Sequence, residues 1–367
     1  MTLQGLFLDP RTWTIDYLTS PFWKPEKFGV NIDLHQNAFH IPKTGLKKKY
    51  DFVLTTEVWE IPIRKTLHYL RNKGLKVILV PREVAPGKSH LGTMFAEDRY
   101  EWNGSYFFNP DIVLSPGERY HQLWEGKTKR RIIGYPRFDI CLRPDLWKSK
   151  NKILERHGIE KGKKIIFFPS YPPYHVETTP DGKSVMRDLY KDLESTMAAL
   201  EAYALKHKDE VQVVVKIHPS AFKCWRKNMG VGNEVIGRTL KYYKNPTKYM
   251  KVIGDIRNDS SVAREMIIAA DAVVGYTSMM LLESIVMKKP IVHVKFTQTR
   301  GVQQAIDFSK EMFTILEPEE MEDAIDRALH TDELLIDIKD SWLFEHCLYK
   351  TDGKFCERLC DGIKSVF

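Results

Sequence analysis

Short, nearly unbroken apolar runs alternate along this chain with longer stretches of helical periodicity, a pattern that predicts parallel sheets joined by crossover helices. In the first half, Leu3 to Leu8, Phe52 to Thr55, Lys76 to Val80, Ile112 to Leu114 and Arg131 to Ile133 read as strands. Between the second and third lies IPIRKTLHYLRNKG, where Ile61, Thr66, Leu67 and Leu70 fall at helical spacing and Gly74 supplies a stop. A polar bridge from Pro144 to Gly162 holds a helix-like Lys148 to His157 and the basic turn EKGKK.

The alternation restarts after that bridge. Lys164 to Phe168 reads as a buried strand, Met186 to His207 as an amphipathic helix, and VQVVVKI as a strand with too little polarity for an exposed face. Met250 to Ile253 and Ala272 to Val274 follow as strands, then a helix from Ser278 to Met287 and a strand from Pro290 to Val294. The expected architecture is α/β, with two Rossmann-like, doubly wound domains facing a central cleft. The expected boundaries are 1–150 and 151–345, with a helix in 346–367 returning to the first domain.

Composition narrows the setting. Of 367 residues, 43% are hydrophobic and 28% charged, which supplies a core and excludes wholesale disorder. No window approaches the roughly 18–20 apolar residues of a membrane span, and MTLQGLFLDPRTW lacks a basic start before a long apolar stretch. Cys141, Cys224, Cys347, Cys356 and Cys360 are few, odd in number and without a framework pattern, so a reduced, cytoplasmic setting is expected. The 56 Lys and Arg against 48 Asp and Glu give +8. Because these charges are scattered among acids, they suit a solvated surface drawn to anionic headgroups or phosphorylated substrates better than they suit nucleic acid.

Candidate chemistry gathers at strand ends. In AADAVVGYTSMMLLESIVMKKPIVHV (269–294) a strand ends at Gly275, where the chain can turn tightly, and Tyr276, Thr277 and Ser278 stand where a helix begins. Free N–H groups, hydroxyls and the positive helix end suit phosphate there, and Glu283 is placed to accept from ribose hydroxyls. Helix capping by Thr277 or Ser278, with Glu283 on the surface, is the alternative. In VVVKIHPS, Lys216, His218 and Pro219 close a buried strand, and His218 is a candidate for phosphate binding or proton transfer. FFPSYPPY places Ser170 and Tyr171 at another strand end. RRIIGYPRFD sets Arg137 and Asp139 after a turn, where such a pair often simply bonds internally. Arg82 and Glu83 follow the strand Lys76 to Val80, with Glu83 a candidate general base and His90 its competitor.

His346, Cys347, Cys356 and Cys360 lack a CxxC knuckle, and their spacing also fits an apolar helix face, so no metal is expected. GxGxxG, Walker, HExxH and GxSxG patterns do not occur.

The ordered set GYPRFD, FFPSYPPY, KIHP and DAVVGYTSMMLLESIVMKKPIV, with the ending TDGKFCERLCDGI, resembles the GT-B glycosyltransferase-like proteins of bacterial surface-polysaccharide synthesis. That group includes the CDP-glycerol glycerophosphotransferases and the capsule Kdo transferases. The resemblance covers roughly residues 75–365. It implies a donor held by the second domain, with His218, Thr277 and Ser278 on its phosphates and Glu283 on its ribose, and an acceptor held by the first. Arg137, Ser170, Tyr171, Lys216, Pro219 and Tyr276 complete the expected donor-binding set. It also implies transfer without a metal or other cofactor, with Lys216, His218 and the helix dipole neutralising the leaving nucleotide.

The glycerophosphotransferases carry a His-Gly pair where Pro81, Arg82 and Glu83 stand here, and an Asp-Tyr-Ser-Ser in place of Gly275 to Ser278. This departure favours a sugar transferase with Glu83 as base, and the Ser278 to Glu283 spacing looks more like the Kdo transferases, whose donor is CMP-Kdo. The expected partners are a nucleotide-sugar donor, a glycan or lipid-linked acceptor and an anionic membrane face. The alternatives are an isomerase like the UDP-sugar 2-epimerases and a non-catalytic nucleotide-sugar-binding protein.

Overall fold

The structure is a computed structural model, and it describes residues 2–8, 20, 22–35, 41–46, 48–56, 58, 61–81, 108–122, 124, 128–171, 174–178, 184–218, 247–253, 260–276, 278–300, 313–330 and 349–367. The chain divides into two compact units, Met1–Arg143 with Lys339–Phe367, and Pro144–Ile338.

The first unit contains β1 (Leu3–Leu8), β2 (Val30–His35), β3 (Phe52–Thr55), β4 (Lys76–Leu79), β5 (Ile112–Ser115) and β6 (Arg130–Ile132). They form one sheet in the order β2-β1-β3-β4-β5-β6, and every pairing is parallel. Helix α1 (Ile61–Asn72) crosses from β3 to β4 and lays Ile63, Leu67 and Leu70 on Leu6, Val53, Val77 and Leu79. Near the first segment's end stands α2 (Pro136–Cys141).

The second unit opens with α3 (Lys150–Arg156) and β7 (Lys164–Pro169). An antiparallel hairpin follows, β8 (Tyr174–Thr178) with β9 (Ser184–Asp188), and then α4 (Tyr190–Lys206) and β10 (Val211–Lys216). Met186 therefore sits in β9, and the helix expected from that residue begins only at Tyr190, whose N–H bonds the Asp188 carboxylate at 2.8 Å. The remaining elements are β11 (Met250–Ile253), α5 (Ser260–Ala269), β12 (Ala272–Gly275), α6 (Met279–Val286), β13 (Ile291–Val294), α7 (Thr297–Arg300), β14 (Phe313–Ile315) and α8 (Met321–His330). A last helix, α9 (Phe355–Lys364), belongs to the first unit.

The second sheet runs β11-β10-β7-β12-β13-β14, again all parallel. Chain order thus leaves β7 toward β10 and β11 on one side and toward β12, β13 and β14 on the other. That is the Rossmann arrangement, with its reversal beside β7. Phe168, Val213, Val215, Val274 and Val292 pack under α4 and α8, while Phe167, Val214 and Val273 are equally buried on the opposite face. Double-sided burial explains why these strands read as continuous apolar runs.

One device recurs at the amino edge of both sheets. Asp51, Asp111 and Asp271 each immediately precede a strand and accept a hydrogen bond from the neighbouring strand, from the N–H of Gln4 at 2.8 Å, Val77 at 2.8 Å and Ile165 at 2.7 Å. Each aspartate's own N–H returns a bond to the same residue's carbonyl. The local sequences DFVL, DIVL and DAVV share this pattern. Asp111→Ala leaves the Val77 N–H without its carboxylate and is expected to cost about 1–3 kcal/mol in urea unfolding, with Asp111→Asn losing less.

Candidate functional site

In the second unit, β10, β7 and β12 lie side by side with their carboxyl ends at one edge. The chain leaves those ends at Ile217, Ser170 and Tyr276. The Ser170 N–H donates to the Lys216 carbonyl at 2.9 Å, and the Ser170 Oγ accepts from the His218 N–H at 3.0 Å. Ser170 thereby stitches the exits of β7 and β10 together and sets where His218 stands. On the other flank the Tyr171 and Tyr276 rings meet with centroids 5.0 Å apart, which ties the exit of β7 to that of β12. Lys216, Ser170, Tyr171 and Tyr276 are buried, whereas His218 and Ser278 are half-buried. This is the edge, and the reversal point, where such sheets receive ligands.

Ser278 takes the N-cap position of α6 in an extended conformation, yet its side chain makes no capping hydrogen bond. The capping alternative for Ser278 is thus not what the structure shows, and a phosphate oxygen could occupy the same place at the positive end of the helix. Gly275 does not adopt the left-handed conformation that a tight turn there would use. Its need for glycine is spatial, because a Cβ would stand 2.9 Å from Leu281 Cδ2 on α6.

Glu283 is 0% exposed, so it is no surface residue, and its carboxylate stands 3.7 Å from Arg264 Nε of α5. Arg264 was missed, although an Arg-Glu pair inside the apolar SSVAREMIIAA was a visible signal. Its neighbour Glu265, also buried, accepts from Arg156 at 2.6 Å, pairs with His157 at 3.0 Å and with Lys148, and so anchors α5 to α3 and the segments flanking it. Glu83, His90, Pro219 and Thr277 lie outside the described residues, as do His346, Cys347 and Cys224. Cys356 and Cys360 are buried on α9.

Ser170, Tyr171, Lys216, His218, Tyr276, Ser278 and Glu283 belong to the second unit, whereas Arg137 belongs to the first. There GYPRFD is no open loop. Its second half is α2, and Asp139 accepts from the Gly353 N–H at 3.1 Å. Arg358 donates to the Ile133 carbonyl at 2.8 Å and to both Asp352 oxygens. Gly134 (φ 84°) and Gly353 (φ 74°) both need the left-handed region, and a Cβ on Gly134 would press within 3.2 Å of the Lys350 carbonyl. The stretches GYPRFD and TDGKFCERLC therefore interlock, holding the end of the chain against β6 and α2.

Burial pushes the Asp139 carboxyl from 3.8 up to about 6, against the Gly353 N–H and the Arg358 charge, which lower it, and with the Asp352 charge, which raises it. A raised folded pKa means that the folded state holds the proton more tightly than the unfolded one. The contribution is complete below about pH 4 and is lost as pH rises through about 6. Relative to Asp139→Asn, the natural protein is expected to lose about 2 kcal/mol of urea stability between pH 4 and pH 7. Parallel pH curves for the two proteins would refute this.

A family model described as CDP-Glycerol:Poly(glycerophosphate) glycerophosphotransferase matches residues 92–365. No curated protein matches the sequence. Among solved structures, the wall teichoic acid polymerase TagF is similar over 100% of this chain and 89% of its own, at TM-score 0.56 and 12% identity. A putative UDP-N-acetylglucosamine 2-epimerase from Listeria monocytogenes matches over 100% and 96%, at 0.57 and 13%. The UDP-GlcNAc 2-epimerase of Methanocaldococcus jannaschii, solved with UDP-GlcNAc and UDP, matches over 100% of both chains, at 0.58 and 13%. At such identities the likeness is one of fold, the GT-B-like pairing of two Rossmann-like units.

Proposed function

The chain belongs to the CDP-glycerol:poly(glycerophosphate) glycerophosphotransferase family, and from that premise we propose that it transfers a sugar or polyol phosphate from a cytidine-activated donor onto a bacterial cell-surface polymer. Membership makes it a transferase; donor, acceptor and site residues are the proposal. One observation carries it, the convergence of Ser170, His218, Tyr276 and Ser278 at the reversal point of the second sheet.

In this reading Lys216, His218 and the amino end of α6 receive the nucleotide phosphates and offset the charge that develops as the nucleotide leaves. Preorganised cations and N–H groups supply that stabilisation without a metal in the step. The buried tyrosine pair Tyr171 and Tyr276, its rings tilted 48° to each other, supplies apolar packing beside it. Glu83 lies before the matched stretch, which begins at residue 92, so its role as base rests on its position after β4 alone. Among the described residues no helix is long and apolar enough to cross a membrane. Any hold on the membrane face would come from the basic surface meeting anionic lipid.

The family description points to CDP-glycerol, and the Ser278 to Glu283 spacing to CMP-Kdo. Thermal unfolding of the purified protein with CMP, CDP, UDP and GDP and their activated donors separates these, since a ligand of the folded state raises its stability. Stabilisation by cytidine nucleotides, lost in Ser278→Pro and His218→Ala, is the expected result. Uridine selectivity would move the reading to an epimerase-like isomerase, and no response to any nucleotide would end it.

A further inference from the structure

Away from the donor edge, the end of α4 faces α8 across a group of metal-ligating side chains. His207 is the residue at which α4 stops, and its carbonyl accepts from the Val211 N–H at 2.8 Å, where β10 begins. It therefore sits at the amino edge of the strand whose carboxyl end carries Lys216 and His218, on the order of 20 Å away by strand length. Glu322 and Asp326 lie four apart on α8 and share one face. One ligand atom from each of His207, Glu322 and Asp326 lies within 4.8 Å of the other two.

Three further observations make this more than a meeting of acids. His207 Nε2 is sealed from solvent and has no hydrogen-bond partner among the described residues. An imidazole nitrogen so placed needs a partner to offset its desolvation, an acceptor in the tautomer that protonates it and a donor or a cation in the one that does not. The Tyr203 ring stacks on the imidazole at 4.4 Å and 27°, which fixes its plane. The Tyr203 hydroxyl donates to Asp326 Oδ1 at 2.5 Å, leaving Oδ2 for another partner. An oriented imidazole with a hydrogen-bonded carboxylate is the usual support around a metal ligand set. Lys206 pairs with Glu322 and would compete for one of its oxygens.

We propose that His207, Glu322 and Asp326 form a structural site for one divalent transition-metal ion, Zn²⁺ in the first place, which pins α8 to the end of α4. One imidazole nitrogen and two carboxylate oxygens suit a borderline cation better than Ca²⁺ or Mg²⁺, which prefer all-oxygen shells. Tetrahedral Zn²⁺ sets its ligand atoms about 3.3 Å apart, so the three side chains would have to draw in from their present separation, with a water as the fourth ligand.

The test is equilibrium dialysis of the full chain against Zn²⁺ followed by metal analysis, with Co²⁺ absorption as a report of coordination. The natural protein is expected to keep one equivalent and to melt higher with excess Zn²⁺. His207→Gln and Asp326→Asn are expected to keep none, while their metal-free melting temperatures stay near the natural value. Tyr203→Phe should bind about tenfold more weakly. His330, exposed on the same helix with Nδ1 at 2.7 Å from the Asp326 carbonyl, is the control. No bound equivalent in the natural protein, or loss in His330→Gln but not in His207→Gln, would overturn the proposal.

Discussion

His218→Ala is expected to lower transfer from a cytidine-activated donor by about two to three orders of magnitude, with most of the loss in kcat. The backbone N–H of His218, not its ring, is held by Ser170 Oγ, and alanine keeps that bond. His218 is half-buried and follows two residues after buried Lys216, where β10 ends at the reversal of the sheet. Removing the imidazole deletes one of the cationic or donor groups proposed to offset charge on the leaving phosphate, a contribution that is largest in the transition state. Ser170→Ala makes the complementary test. It keeps the imidazole but frees its mount, so a smaller loss of about tenfold is expected, with KM for the donor rising as well. Initial rates over a donor series separate kcat from KM for both variants. Activity of His218→Ala within threefold of the natural protein would remove His218 from the mechanism.

The largest stability effect is expected at the buried ion pair of the second unit. Arg264→Met removes the guanidinium that stands 3.7 Å from the fully buried Glu283 carboxylate and is expected to cost about 3–5 kcal/mol in urea unfolding. The double variant Arg264→Met with Glu283→Leu removes both charges together and is expected to recover most of that loss, because desolvation of the pair offsets much of its attraction. The same variants decide what Glu283 does. If the pair is purely a fold element, the double variant binds cytidine nucleotide within about threefold of the natural protein. A loss of tenfold or more in a folded double variant would give Glu283 the ribose role that the family resemblance implies.

Most strands were legible because their signal is local. A run such as IIFF or VVVK, buried on both faces, can do little else in water than form an interior strand, and each such run became one. The misses follow the same rule. In β2, Asn31 and Asp33 interrupt the apolar positions, which the sheet tolerates because β2 is an edge strand among the described residues. The three-residue β14 is another edge strand, too short to show a period. The β8 and β9 hairpin took residues that had read as the first turn of α4, since pairing with a partner strand outweighs helical periodicity over a few residues.

The site was legible in kind but not in arrangement. That Ser170, His218 and Ser278 follow buried strands could be read from the residues, and the side of a parallel sheet on which they fall then follows from strand direction. That Ser170 bonds the backbone of His218, that Tyr171 meets Tyr276, and that Glu283 is sealed against Arg264 could not. These contacts depend on the strand order β10-β7-β12, a choice among non-local pairings that no window of the chain expresses. The same holds for the bond from Gly353 to Asp139 and for the group of His207, Glu322 and Asp326. Apolar periodicity specifies what each segment must bury; which segments bury it together is settled by packing the whole chain, and that packing turns scattered strand ends into a candidate site.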